Sequence, residues 1–212
     1  MTETKTLIAQ RLRKCRAQAG WTYEETGNRL GIPPSRYSNW ELEIRSPKLD
    51  QLKECAKVFG VNAAWLAGLD DNEERLITPP TSYYSQKTGT TIQTTPAGSS
   101  CAYRTTWLIG QGLDPEQLLV AWAPDTTMRG VINQSDEVLI DRRVTSVKAL
   151  DLYALAVNGA IWFRKIRPNL DGSYTITAED AAAFPDDTMT AEQLAEQEII
   201  GRVCRINHAR PR

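Results

Sequence analysis

Few residues of this chain have the type and spacing to do covalent or metal chemistry. The single histidine, His208, lies near the C-terminus among basic residues, so a mechanism that needs an internal imidazole has little support. Cys15, Cys55, Cys101 and Cys204 are widely separated, and no two have the spacing of zinc ligands or of a redox pair. They read as free thiols of a cytoplasmic protein, and neither metal nor cofactor is expected. Trp107, Trp122 and Trp162 could be taken for a ligand cage, but such aromatics more commonly fill cores and interfaces. The remaining signal is electrostatic. Up to Leu69 there are 11 Lys+Arg against 7 Asp+Glu, and beyond it 14 against 19, giving +4 and −5 within a net charge of −1. A basic N-terminal piece on an acidic remainder permits nucleic-acid contact.

The 212 residues suggest one large domain or two small ones. With 41% hydrophobic and 24% charged residues, the chain is not disordered throughout. No apolar run approaches the roughly 18 residues of a membrane helix, and the N-terminus has no apolar signal region. Residues 1–69 read as helices. Leu7, Ile8, Leu12 and Cys15 recur at helical spacing. Thr22 and Glu25 form a capping box for a second helix that ends at Gly31. A third helix starts at Pro33-Pro34-Ser35 and runs to about Leu42, a fourth opens at Pro47, and Val61–Leu69 closes the set. Residues 70–100, rich in Thr, Ser and Pro, read as a flexible linker. From 101 to 212 short alternating runs take over. Leu118–Trp122, Glu137–Asp141, Leu152–Val157, Ala160–Ile166, Tyr174–Ala178 and Ile199–Ile206 are expected strands, with hairpin turns at Asn158-Gly159 and Asp171-Gly172. The expected fold class is therefore multidomain α + β: an all-α bundle followed by a mostly-β domain.

Within the helical part, a helix-turn-helix needs a small residue where its helices cross and a residue tolerant of positive φ in its turn. Gly27 and Gly31 supply these, and Ile32, Tyr37 and Trp40 supply core. The stretch GWTYEETGNRLGIPPSRYSNWE, followed by SPKLDQLKECAKVFGVNAAWLAG, resembles the N-terminal domain of phage lambda-type CI and Cro repressors over about residues 5–69. The resemblance implies that the third helix enters the major groove by its N-terminal end. Pro34, Ser35, Arg36 and Asn39 then match base-facing positions, with Arg36 suited to guanine and Asn39 to adenine. Tyr23 falls beside the phosphate backbone. Arg16 and Glu41 match an ion pair that orients the arginine towards phosphate, and Arg45 and Lys48 are expected phosphate contacts. Two positions depart from the pattern. Pro34 donates no hydrogen bond, and Glu43 replaces a usual loop glycine, which implies a reshaped loop.

The stretch from Trp107 to Asp141 carries a second resemblance, to the C-terminal domain shared by LexA and many phage repressors. That family's core reads roughly G-D-S-M-x-P-x-I-x-x-G-D-x-V-L-V-D. Here Met128, Ile132, Asp136 and Val138-Leu139-Ile140-Asp141 fall in register, Phe163-Arg164-Lys165-Ile166 matches a later V-K-R-L, and Ile199-Ile200-Gly201-Arg202-Val203 the closing I-I-G-R-V. The resemblance implies a mostly-β dimerisation domain with a latent Ser-Lys self-cleavage dyad. Its two positions are altered. Thr127 stands at the serine and Arg164 at the lysine, 164 − 127 = 37 residues on. A guanidinium stays protonated and cannot take the hydroxyl proton. Lys165 would face the other side of its strand. Ala97-Gly98 is the dipeptide such repressors cleave, 127 − 97 = 30 residues before Thr127, closer than expected for cleavable relatives.

The expected function is a sequence-specific repressor of the phage or prophage type, in the cytoplasm and without membrane contact. It binds double-stranded operator DNA and forms a homodimer or higher homo-oligomer through its C-terminal domain. With its dyad degraded, it is released by an antirepressor protein. One alternative is a self-cleaving, RecA-responsive repressor using Thr127 with Lys165 and cutting at Ala97-Gly98. Another is a protein-binding adaptor with no DNA activity.

Overall fold

The structure is a computed structural model that describes residues 2–96, 101–182 and 184–209. It divides into two compact units, Met1–Ile77 with Tyr103–Gly112, and Thr78–Ala102 with Leu113–Arg212. The first is built on α1 (Thr2–Ala19), α2 (Tyr23–Leu30), α3 (Pro34–Glu41), α4 (Leu49–Phe59) and α5 (Ala63–Leu66). The capping box forms: the Thr22 amide donates to Glu25 Oε2 at 2.7 Å and the Glu25 amide to Thr22 Oγ1 at 3.1 Å. Such a cap stabilises a helix start by about 1 kcal/mol. Gly31 ends α2 with φ +63°, and the Ile32 amide reaches back to the Gly27 carbonyl at 2.9 Å. A Cβ on Gly27 would lie 2.7 Å from the Ile32 carbonyl oxygen and 3.1 Å from the Pro34 nitrogen, so only glycine lets α2 and α3 approach this closely. Leu12, Tyr37, Cys55 and Leu66 are fully buried in one core, where the Tyr37 hydroxyl donates to the Leu12 carbonyl at 3.1 Å.

The expected linker is folded over its described part. β1 (Leu76–Ile77), β2 (Ser82–Tyr84) and β3 (Thr91–Gln93) lie within it, and β4 (Tyr103–Arg104) follows. β2 and β3 form an antiparallel hairpin that buries Ile92 in the core of the β unit. β1 pairs with β4 and leads to α6 (Thr105–Gly110), so this later segment belongs to the helical unit rather than to the β domain. The reason is packing: Thr105 and Leu108 are fully buried there, and Thr105 donates through amide and hydroxyl to the Arg75 carbonyl.

The β unit is a seven-stranded antiparallel sheet. Its strands are β5 (Leu118–Trp122), β6 (Glu137–Asp141), β7 (Asp151–Val157), β8 (Ala160–Pro168), β9 (Tyr174–Thr177), β10 (Asp187–Met189) and β11 (Glu198–Asn207), in the order β10-β9-β8-β7-β11-β6-β5. A short α7 (Ala191–Ala195) precedes β11. Alternation along the strands feeds two cores, one with Leu152, Ala154, Ile161 and Phe163, the other with Tyr153, Leu155, Ile166 and Leu194. Asn158 (φ +48°) and Gly159 (φ +80°) make the two-residue turn joining β7 and β8. Asp171-Gly172 sits instead in a longer loop, from Asn169 to Ser173. β11 shifts register between Ile199 and Gly201, and a Cβ on Gly201 would collide with the Asp141 carbonyl. Ser135, where the family pattern has glycine, keeps the left-handed turn at φ +70°.

Candidate functional site

Two sets of residues define the candidate sites, one in each unit. In the helical unit Pro33 caps α3 without a side-chain bond, and Pro34 occupies its first turn. Pro34, Ser35 and Arg36 are exposed, while Asn39, one turn further along α3, is half-buried. Arg45 and Lys48 are also exposed, and among the described residues none of Arg36, Arg45 and Lys48 has an ion-pair partner. The exposed helix end combines the positive end of the helix dipole with the Arg36 cation, features that favour phosphate, although Pro34 has no amide hydrogen and the Arg36 amide already donates to the Pro33 carbonyl at 2.9 Å.

Arg16 and Tyr23 are placed differently from these. Arg16 donates from Nε and Nη2 to the two oxygens of Glu41, at 2.7 and 3.0 Å, and from Nη1 to the Trp21 carbonyl at 3.0 Å. Glu41 is 1% exposed, so this fork answers the charge of a buried carboxylate, and its hydrogen bonds hold the arginine above its ordinary value. The ion pair implied by the sequence is therefore present. The Tyr23 hydroxyl turns inward and donates to Glu41 at 3.2 Å, with its ring under the Arg16 guanidinium. Its hydroxyl belongs to the support of Glu41, a role the sequence reading did not assign. In the loop after α3, Glu43 adopts φ +60°, the left-handed conformation that glycine takes most readily, and accepts from Thr6 Oγ1 at 2.8 Å.

In the β unit Thr127 and Arg164 meet. Both are buried, and Arg164 Nη1 donates to Thr127 Oγ1 at 2.9 Å and to its neighbouring Phe163 carbonyl at 2.7 Å. The Thr127 hydroxyl in turn donates to Asp125 Oδ1 at 2.7 Å, which also accepts the Thr127 amide. Burial lowers the Arg164 pKa, while the charge of Asp125 works in the opposite direction. Arginine titrates so far above neutrality that it remains a donor, so the hydroxyl lacks a base on that side. Lys165 projects elsewhere and forms an ion pair with Glu179. The Thr127 carbonyl accepts the amides of Glu179 and Asp180, which packs the stretch after β9 against it. Ala97 and Gly98 lie outside the described residues. Trp107 falls in the helical unit, whereas Trp122 and Trp162 lie in the β unit, Trp162 beside Arg164. The Arg164–Trp162–Phe184 stack went unforeseen, because Phe184 is brought in by a loop with no motif.

The four thiols are free. Burial pushes Cys15 and Cys55 up to about 12 each. No group of three or more metal-ligating side chains occurs among the described residues, and none of their helices is long and apolar enough to cross a membrane.

Residues 12–66 match a helix-turn-helix family model, and residues 84–204 match the Peptidase S24-like model. The second match covers more than half of the chain, which therefore belongs to the Peptidase S24-like family, with an N-terminal helix-turn-helix domain. The chain is 21% identical to an uncharacterized HTH-type transcriptional regulator of Haemophilus influenzae, over 87% of this chain and 89% of the relative. It is 32% identical to the uncharacterized HTH-type transcriptional regulator YobD of Bacillus subtilis, over 32% of this chain and 61% of that one. It is 31% identical to the HTH-type transcriptional regulator ImmR of Bacillus subtilis, over 30% of this chain and 50% of that one.

Proposed function

We propose that this protein is a sequence-specific DNA-binding repressor of the phage or prophage CI type. The coarser statement, a transcriptional regulator with a helix-turn-helix and an S24-like domain, rests on the two family matches and the relative that aligns over most of its length. The observation that carries the finer reading is the exposed N-terminal end of α3, with Ser35 and Arg36 facing solvent, Asn39 one turn on, and Arg45 and Lys48 nearby in sequence, none of the three cations ion-paired among the described residues. Arg36 and Asn39 read bases, while Arg45 and Lys48 hold phosphate. The C-terminal domain dimerises the chain, which raises the effective concentration of the second helix-turn-helix at a palindromic site.

The protein acts in the cytoplasm and does not cleave itself. Thr127 finds Arg164 where a neutral amine would be needed, and Lys165 is engaged by Glu179. Release from the operator is the work of an antirepressor protein. The test is selection of bound duplexes from a random pool, then binding to the selected site over a salt series. A palindromic site with a steep salt slope is expected, because phosphate contacts release counterions. Absence of any DNA retention at low salt would leave the adaptor reading in its place.

A further inference from the structure

Arg164 has a feature that its bond to Thr127 does not explain. It is 6% exposed, yet among the described residues only Nη1 has acceptors, Thr127 Oγ1 and the Phe163 carbonyl. Nε and Nη2 form the edge of the guanidinium that pairs with a carboxylate in two parallel hydrogen bonds, and no described residue accepts from either. Asp125, whose charge acts on Arg164, accepts the Thr127 amide and hydroxyl through Oδ1 and makes no ion pair with the guanidinium among the described residues. These two nitrogens are not among the fully buried unpartnered polar atoms, so they keep what solvent access the guanidinium has and are free to take an incoming acceptor.

Arg164 lines a cleft, a cavity of about 320 Å³, together with Trp162, Phe184, Leu155 and Met189. The Trp162 and Phe184 rings lie 4.7 and 5.3 Å from the guanidinium carbon, so both hold it by cation–π contact and supply apolar surface. The size lies at the small end of the range for organic ligands, and an apolar wall with one strong polar anchor is how such sites are built. Asp187 also lines the cleft, but it is exposed, so solvent screens its charge far more than that of Arg164.

We propose that this cleft binds a small organic carboxylate with an apolar body, its carboxylate paired with Nε and Nη2 of Arg164 and its body against Trp162 and Phe184. The degraded dyad position then serves as the anchor of an effector site. This inference goes beyond the DNA-binding reading and does not depend on it, since its readout is ligand binding alone.

The test uses the full chain with phenylacetate and indole-3-acetate, and with phenylacetamide as the uncharged counterpart, followed by titration calorimetry and tryptophan fluorescence. The expected result is saturable binding of one carboxylate per chain. Affinity falls about tenfold or more for the amide, in Arg164→Gln, and in Met189→Trp, which fills the cleft and leaves Arg164 intact. Circular dichroism establishes that each variant is folded; should Arg164→Gln fail to fold, the amide comparison and Met189→Trp decide. The proposal is overturned if neither carboxylate binds up to about 10 mM, if the amide binds equally well, or if a folded variant keeps the wild-type affinity.

Discussion

Arg36, in the first turn of α3, and Lys48, just before α4, are both exposed cations, yet they are expected to fail differently when removed. Arg36→Ala is expected to cost about 1–3 kcal/mol on the selected operator and to relax the choice of base at one position. Lys48→Ala is expected to weaken all sequences alike and to lower the salt slope by about 1. Fluorescence anisotropy on operator and scrambled duplexes over a salt series separates the two. Arg16 belongs to a third kind. Its loss leaves the Glu41 carboxylate, 1% exposed, with neighbouring tyrosine hydroxyls and the more distant Arg13 to answer its charge. Arg16→Ala is expected to destabilise the helical domain by about 3 kcal/mol, read from denaturant unfolding without DNA. The Arg16–Glu41 pair was legible in the sequence through the repressor resemblance. The inward turn of Tyr23 was not, since the need of a buried carboxylate for further donors appears only once Glu41 is known to be buried.

At the scale of elements, close approach of backbones sets the demands. Gly27 faces backbone atoms of Ile32 and Pro34, which cannot swing aside as a side-chain tip would. Gly27→Ala is expected to cost about 1–3 kcal/mol and to loosen α3 against α2, measured by thermal unfolding together with loss of operator affinity. Gly27, Gly31 and the Asn158-Gly159 turn could be read in advance because each requires a residue type that little else satisfies. So could the six longer strands, whose alternation survives into the two cores. The short elements were not legible. β2, β3 and β10 are three residues each, too brief for a period to show, and the β2–β3 hairpin is anchored by Ile92 in the core, by Tyr83 packed against it, and by the bonds of Tyr83 and buried Ser85 to the distant Glu198. A stretch rich in Thr and Ser looked like linker because nothing local to it announces that Ile92 has a core to enter.

For the molecule as a whole, acid is expected to act through the β domain. Asp136 is 1% exposed, and burial alone would raise its pKa. The amides of Asn133 and Ala209 and the His208 ring outweigh that and hold it below the ordinary 3.8. Asp141 and Glu198 are depressed in the same way, against burial, by Arg143 and by Ser85 and Tyr83 respectively. Because the folded values lie below the unfolded ones, the unfolded chain binds protons first as the pH drops. The stabilisation is complete above the ordinary carboxylate range and is lost as the pH falls through the folded values. Unfolding midpoints measured in denaturant are expected to be flat down to about pH 5 and to drop below about pH 4. The two-domain plan was legible from ordered motifs, and the same motifs singled out Thr127 and Arg164, which the structure brings within a hydrogen bond of each other. The placing of residues 103–112 with the helices was not, because the burial of Thr105 and Leu108 is a property of packing rather than of pattern. A Thr127–Arg164 bond that is structural rather than catalytic leaves the chain unable to cut itself. Intact mass of the full chain after incubation at alkaline pH, and again with activated RecA filament, tests this most directly. A chain that stays whole in both is the predicted result. Two fragments divided between Ala97 and Gly98 would contradict it and return Thr127 to the role of nucleophile.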